Sequence, residues 1–218
     1  MATFIQKIHE AKQLIQQTQK QYPNSVFACS FGKDSMVVLH LLKEINPKIP
    51  VFTVFMDTEF PETVSYTRKI AKDWNLNYSE HWVHQGPISR EECCGKGKVE
   101  KHKEILQQYD AWYSGIRKTE GITRANFQST EKRGHLVKIN PILEFTELDV
   151  WRYLTLNEIP VNPKYKEGFR SLGCGLCSTP EADESLPERA GRWQGTKRAG
   201  GECGIHTECL STMVVEKT

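Results

Sequence analysis

The chain has 218 residues, 38% hydrophobic and 26% charged, with 29 basic and 27 acidic side chains and a net charge of +2. This length supports one sizeable core, and the near balance of charge excludes intrinsic disorder and a strongly polyanion-binding surface, so no nucleic-acid partner is expected. The longest apolar runs, Met36 to Leu42 and Val51 to Met56, are too short to span a bilayer, so no membrane partner is expected either.

Residues 3–20 place Phe4, Ile8, Ala11 and Ile15 on one stripe, which predicts an amphipathic helix. The stretch "SVFACSFGKDSMVVLHLLKEI" reads as a strand over Val26 to Ser30, a turn at Phe31, Gly32 and Lys33, then a helix capped by Asp34 or Ser35 and running to Ile45. A strand over 51–57, a helix over 62–74 and a strand over 77–83 continue a βαβαβ alternation. That alternation predicts an α/β fold with a mostly parallel sheet, flanking helices, and a ligand at the carboxyl ends of the strands.

The second half is less regular. It offers a polar helix near 98–109, a strand near 111–116, a turn-rich "RKTEGITR", a strand near "HLVKINPI" and a helix over 146–158. From Ile159 onward the chain reads mostly as loop, and a loop-rich end of that length points to function, bound metal or mobility. The expected organisation is an N-terminal helix (1–24), an α/β domain (25–196) and a C-terminal tail (197–218).

Ser30, Gly32, Lys33, Asp34 and Ser35 fall at the first strand-to-helix turn. Glycine lets backbone approach a ligand, helix-start N–H groups cradle an anion, and Lys33 adds positive charge. An ordinary capped turn would use the same residue types, and the spacing of a Walker A loop is missing.

Met1 to Lys7 lack the charged-then-apolar order of a secretory signal, which points to a reducing, cytoplasmic setting. The seven cysteines then read as metal or redox residues rather than disulfide staples. Cys93 and Cys94 are adjacent, and Cys174 and Cys177 follow far downstream in "SLGCGLCSTP", among glycines and without helical or strand period. By chemistry alone four thiolates suit an iron–sulfur cluster or a structural zinc equally. In "GECGIHTEC", Cys203 has Lys197, Arg198 and His206 nearby, and cationic neighbours raise a thiol's thiolate fraction.

"SFGKDS" resembles the phosphate loop of the adenine nucleotide α-hydrolase and ATP-pyrophosphatase superfamily, and "MDTEFPET" resembles the segment after the second strand in that superfamily's sulfonucleotide reductases, here two residues shorter. The cysteine pair followed by C-x-x-C, the unaltered "ECGIH", and the segments "WYSGIRKTEGITRANF", "VKINPILEFTELDVWRYL" and "ERAGRWQG" are together similar to the assimilatory adenylyl-sulfate (APS) reductases of the PAPS/APS reductase family. Glu120 and Gly121 stand where that family usually has Gln and Ser, Phe145 where Trp is common, and Gly97 where Arg is common.

The resemblance implies a Rossmann-like adenine nucleotide α-hydrolase fold with a tail that closes over the substrate. It implies a 4Fe-4S cluster on Cys93, Cys94, Cys174 and Cys177, with Lys98 near it, and Cys203 as nucleophile assisted by His206. It places adenosine 5′-phosphosulfate on Ser30, Phe31, Gly32, Lys33, Asp34, Ser35, Asp57, Arg117, Arg124, Arg189 and Arg192. Thioredoxin or glutaredoxin is the implied reductant, a homo-oligomer is compatible with it, and Trp193 and Phe169 read as packing residues. Alternatives are the same reaction on the 3′-phosphorylated nucleotide, a PP-loop ATP pyrophosphatase or sulfurtransferase, and a non-enzymatic zinc-stabilised nucleotide-binding module.

Overall fold

The structure is a computed structural model that describes residues 2–84, 97–181, 183–196, 199–201 and 204–207. Helix α1 (Phe4–Gln21) is followed by strand β1 (Ser25–Ala28), α2 (Lys33–Ile45), β2 (Pro50–Met56), α3 (Pro61–Asp73) and β3 (Asn77–Val83). The described residues then give α4 (Gly97–Leu106), β4 (Ala111–Tyr113), two 3-10 turns over 118–124, the hairpin β5 (Thr130–Arg133) and β6 (Leu136–Ile139), α5 (Glu147–Leu156), a 3-10 turn at Pro163–Glu167 and the short α6 (Gly204–Thr207). The strand order is β3-β2-β1-β4-β6-β5, all parallel except the antiparallel β5–β6 pair.

Period-two alternation sorts the strand side chains onto two faces. Phe27, Val51 and Tyr113 join α1, α2 and α5 in the larger core, while Val26, Phe52, Val54 and Trp112 meet Val99, Leu106 and Ile205 on the other face. Strand β2 is buried on both faces, as its unbroken apolar run requires. The chain builds outward from β1 through β2 to β3, then returns to place β4 on the other side of β1. This makes the crevice at the carboxyl ends of β1 and β4 the topological switch point where ligands bind in such sheets.

Three differences from the sequence reading have physical causes. Strand β5 is "TEKR", a polar edge strand with no apolar alternation, held by its backbone ladder to β6 and by Asn140 reaching Glu131. Strand β4 stops at Tyr113 because Gly115 passes so close to α2 that an added Cβ would lie 2.9 Å from the Ser35 nitrogen. Helix α2 starts at Lys33 on Gly32, which offers no side-chain cap; its first N–H donates to the Tyr165 hydroxyl at 2.7 Å, not to the expected Asp34 or Ser35. None of the helices formed by the described residues is long and apolar enough to cross a membrane.

Candidate active site

A pocket opens at the switch point. Its wall contains Ser30, Gly32, Asp34 and Ser35 after β1, Ser114 to Ile116 after β4, Lys98 from α4, and Arg124, Arg189, Arg192 and His206 from the second half. The turn after β1 is shaped by Phe31, a non-glycine residue at φ 54° whose ring is buried edge-on against Tyr78, at 5.7 Å between centroids. This costly left-handed residue turns the chain back so that the Ser30 and Ser35 hydroxyls meet at 2.8 Å. The Phe31 side chain therefore faces the core, and only its backbone belongs to the loop.

Lys33 and Arg117 lie behind the pocket rather than in its wall. The Lys33 ammonium is buried, donates to Glu188 Oε1 at 2.5 Å and to the Arg170 carbonyl, and lies 3.7 Å from Glu147. Arg117 is fully buried, with Nε on Asp34 and Nη2 on Glu188, both at 2.5 Å. Nearer the opening, Glu120 holds Arg124, and holds Arg189 at 3.1 Å, while the Ser171 hydroxyl donates to it at 3.2 Å. The Asp34, Glu120 and Glu188 carboxylates converge within 4.8 Å of one another, bound by four cations.

The ionisation of this network follows from its composition. Burial opposes the Lys33 charge, but Asp34, Tyr165, Glu188 and Glu120 outweigh it and hold the ammonium protonated above its usual range. Burial likewise opposes the Glu120 charge, yet Arg124, Arg189, Arg117 and Lys33 keep its carboxyl well below the carboxylate range. Glu59, in the same wall beside Lys98, is pushed up by burial, and Lys98 pulls the other way.

The second feature is the thiol pair. Cys174 and Cys177 are 3% and 1% exposed, their sulfurs 3.0 Å apart, packed with Met56 and Trp193. Arg192 ties this loop to the pocket: Nη1 donates to the Leu172 carbonyl at 2.7 Å, Nε to the Cys177 carbonyl at 3.2 Å, and the guanidinium stacks 4.4 Å from the Trp193 ring. Trp193 is buried between Arg192 and Arg189, and Phe169 packs edge-on against Phe60, so both serve packing. The indole N–H of Trp193, a ring that packs in one cluster with the two cysteines, is buried and has no hydrogen-bond partner among the described residues. Soft sulfur donors next to an unused N–H fit a sulfide-bearing cluster, whose sulfurs accept such bonds.

The tail enters the pocket through α6. Ile205 is buried against the Val26, Phe52 and Trp112 core, and His206 lines the pocket 6.4 Å from the Trp112 ring. Arg189 donates twice to the Gly201 carbonyl, at 3.1 and 2.6 Å. Cys203 itself, Cys93, Cys94 and residues 208–218 lie outside the described residues. Asp57 is placed elsewhere: it is exposed after β2 and bonded to His84 at 2.6 Å. The site also uses Tyr165, Ser171, Glu120 and Glu188. Isolated in loops, they carry no spacing signal and meet only through the fold.

Comparison with known proteins agrees with this geometry. A family model described as phosphoadenosine phosphosulfate reductase domain matches residues 24–180. The chain is 32% identical over 205 residues to "Adenosine 5′-phosphosulfate reductase 2" of Bacillus subtilis (strain 168), covering 84% of this chain and 83% of that protein. It is 34% identical over 206 residues to an adenosine 5′-phosphosulfate reductase of Bacillus cereus (strain 03BB102), covering 86% of each. Among solved structures, a phosphate complex of the phosphoadenylyl-sulfate reductase from Candida auris shares the fold, with a TM-score of 0.62 at 20% identity over 80% of this chain and 96% of that one. The U34-tRNA thiolase of Methanococcus maripaludis, solved with its 4Fe-4S cluster, aligns with a TM-score of 0.52 at 16% identity over 72% of this chain and 65% of its own. With a switch-point pocket, a buried C-x-x-C pair, a family model matching residues 24–180 and relatives covering 84% and 86% of it, the chain belongs to the phosphoadenosine phosphosulfate reductase family.

Proposed function

We propose that this protein reduces adenosine 5′-phosphosulfate to sulfite and AMP, with Cys203 as the nucleophile. The observation that carries the reading is the docking of the Gly204–His206 turn into the same pocket that presents Arg124, Arg189 and Arg192. Gly204 directly follows Cys203 in the sequence. The relatives at 32–34% identity are named for the 5′-phosphosulfate, which favours that substrate over the 3′-phosphorylated one.

The Cys203 thiolate attacks the sulfonyl sulfur, an S–S bond forms, the bond from sulfur to the phosphate oxygen breaks, and AMP leaves with that oxygen. A dithiol reductant of the thioredoxin or glutaredoxin kind then attacks Cys203 Sγ and displaces sulfite. Its second thiol resolves the mixed disulfide, so the two electrons come from the dithiol. Attack of an anion on an anionic sulfonate needs preorganised positive charge, which Arg124, Arg189, Arg192 and Lys98 place in a largely buried pocket. Arg192 also orients the pocket wall through its bonds to the Leu172 and Cys177 carbonyls. His206 stands in position to orient the tail turn.

Cys93, Cys94, Cys174 and Cys177 would hold a 4Fe-4S cluster. When bound it supplies structural support and an electrostatic influence on the sulfate end of the pocket, transmitted through Lys98.

The test is anaerobic incubation with sulfur-radiolabelled adenosine 5′-phosphosulfate without reductant, followed by a non-reducing denaturing gel. Label is expected on the wild-type chain, released as sulfite by thioredoxin, and absent from Cys203→Ser. Label retained on Cys203→Ser would remove Cys203 as nucleophile, and pyrophosphate release from ATP would replace the reductase reading altogether.

A further inference from the structure

Glu120 is the carboxylate of the buried network that pairs with two of the pocket-wall arginines, Arg124 and Arg189. It is 5% exposed and both of its oxygens are used: Oε2 faces Arg124 Nη1, while Oε1 accepts from Arg189 Nη1 at 3.1 Å and from the Ser171 hydroxyl at 3.2 Å. Two guanidinium groups and a hydroxyl converging on a pair of oxygens is the donor set that a sulfate or phosphate group uses. Arg189 spends its remaining nitrogens on the Gly201 carbonyl, in the backbone just ahead of Cys203.

We infer that Glu120 is a built-in stand-in for the substrate's anion, occupying Arg124 and Arg189 in the ligand-free protein and weakening anion binding, so that it sets nucleotide affinity and the ease of AMP release. The inference rests on the reductase reading of this pocket, and Glu120 acts through the arginines as a positioning and affinity-setting residue. The logic is one of linkage. Without Glu120 the two buried guanidinium groups lose this shared counter-charge in the ligand-free state, which destabilises that state, whereas an incoming anion restores the pairing. Lys33 and Arg117 keep Asp34 and Glu188 as direct partners, so the change falls chiefly on the outer pair of arginines. A carboxylate with a purely supporting role predicts the opposite, because its removal would loosen the arginines and weaken binding.

The experiment uses the full-length wild type, Glu120→Gln and Glu120→Asp, titrated with inorganic sulfate and with AMP by calorimetry and thermal shift, alongside turnover of adenosine 5′-phosphosulfate. Glu120→Gln is expected to bind both probes about tenfold more tightly, as the removal of one nearby competing charge implies, and to melt lower without ligand but gain more on adding it. Its KM should fall, and kcat should fall with it as AMP departs more slowly. Glu120→Asp, whose shorter side chain spans both guanidinium groups less well, should show a smaller gain of the same sign and serves alone if the glutamine variant does not fold. Unchanged or weaker sulfate and AMP affinity in the folded variants overturns the inference even if the wild type makes sulfite. Tighter sulfate binding in a protein that makes no sulfite upholds it while removing the reductase reading.

Discussion

Gly191→Ala tests whether the C-x-x-C loop is held by the segment that carries Arg192 and Trp193. Residues 177–179 and 191–193 run antiparallel through a bridge between Ser178 and Arg192. Four bonds join them: Thr179 N to Gly191 O at 2.9 Å, Thr179 Oγ1 to the same oxygen at 3.0 Å, Trp193 N to Cys177 O at 3.1 Å, and Arg192 Nε to that Cys177 oxygen at 3.2 Å. A Cβ on Gly191 would lie 2.3 Å from the Thr179 carbonyl oxygen, a backbone atom that cannot rotate away. The segments must part by about 1 Å, a strain of about 1–3 kcal/mol, and each lengthened hydrogen bond loses about 1 kcal/mol more. With the two bonds to the Gly191 oxygen lengthened, the total of about 3–5 kcal/mol lowers the melting temperature by about 10 °C for a chain of this size. Because Cys177 lies on the moving segment, iron and acid-labile sulfide content should fall as well. Gly195→Ala is the control: Gly195 is at φ +75°, but nothing lies within 4 Å of its added Cβ, so it carries only the left-handed strain of about 1–2 kcal/mol. A Gly191→Ala protein that melts and retains iron like the wild type, or no worse than Gly195→Ala, would refute the bridge as the support of the thiol pair.

Tyr165→Phe leaves the Lys33 N–H at the start of α2 without its acceptor, costing about 1–3 kcal/mol and weakening AMP binding; wild-type melting and AMP affinity would refute this cap. His102, buried on α4 with the Lys98 charge beside it, is held neutral with its pKa lowered to about 3 from an ordinary 6.5. The unfolded chain therefore takes up a proton below pH 6.5 that the folded chain refuses, and stability falls as pH drops from 6.5 toward 3, by about 2 kcal/mol at pH 5. His102→Gln should remove that part of the loss in urea unfolding at pH 7 and pH 5, and equal losses in the two proteins would contradict it. Trp193→Phe keeps most of the packing but deletes the indole N–H; it should retain iron while shifting the visible absorption and reduction potential of the proposed cluster, and unchanged spectra would separate that N–H from it.

The first half of the fold was legible because strands β1 to β3 and helices α2 and α3 alternate with apolar runs of the right length. Strand β5 was not, since a polar edge strand gains its place from a neighbour's backbone rather than from its own pattern. Within the site, the sequence points to the β1 turn and the C-x-x-C pair through residue type and spacing, and to the arginines through the family resemblance. It is silent on where a long side chain turns, so Lys33 and Arg117 read as anion ligands while the fold directs them to Asp34 and Glu188. The carboxylates at positions 34, 120 and 188 have nothing in common along the chain, and only the crossover that sets β4 beside β1 brings them together.

The hydrogen bond from Lys33 N to the Tyr165 hydroxyl joins residues 132 apart, and the Lys33 contact with Glu188 spans 155. Every residue of the β1 turn and the strands β1 to β4 leaves the ribosome before either partner does. The nascent sheet can therefore assemble with its helix start uncapped and its lysine uncompensated, and the nucleotide crevice is finished only when the last quarter of the chain folds back over it. Completion of the crevice thus waits on Tyr165 and Glu188, so a chain cut before residue 165 presents a β1 turn with neither its cap nor its counter-charge.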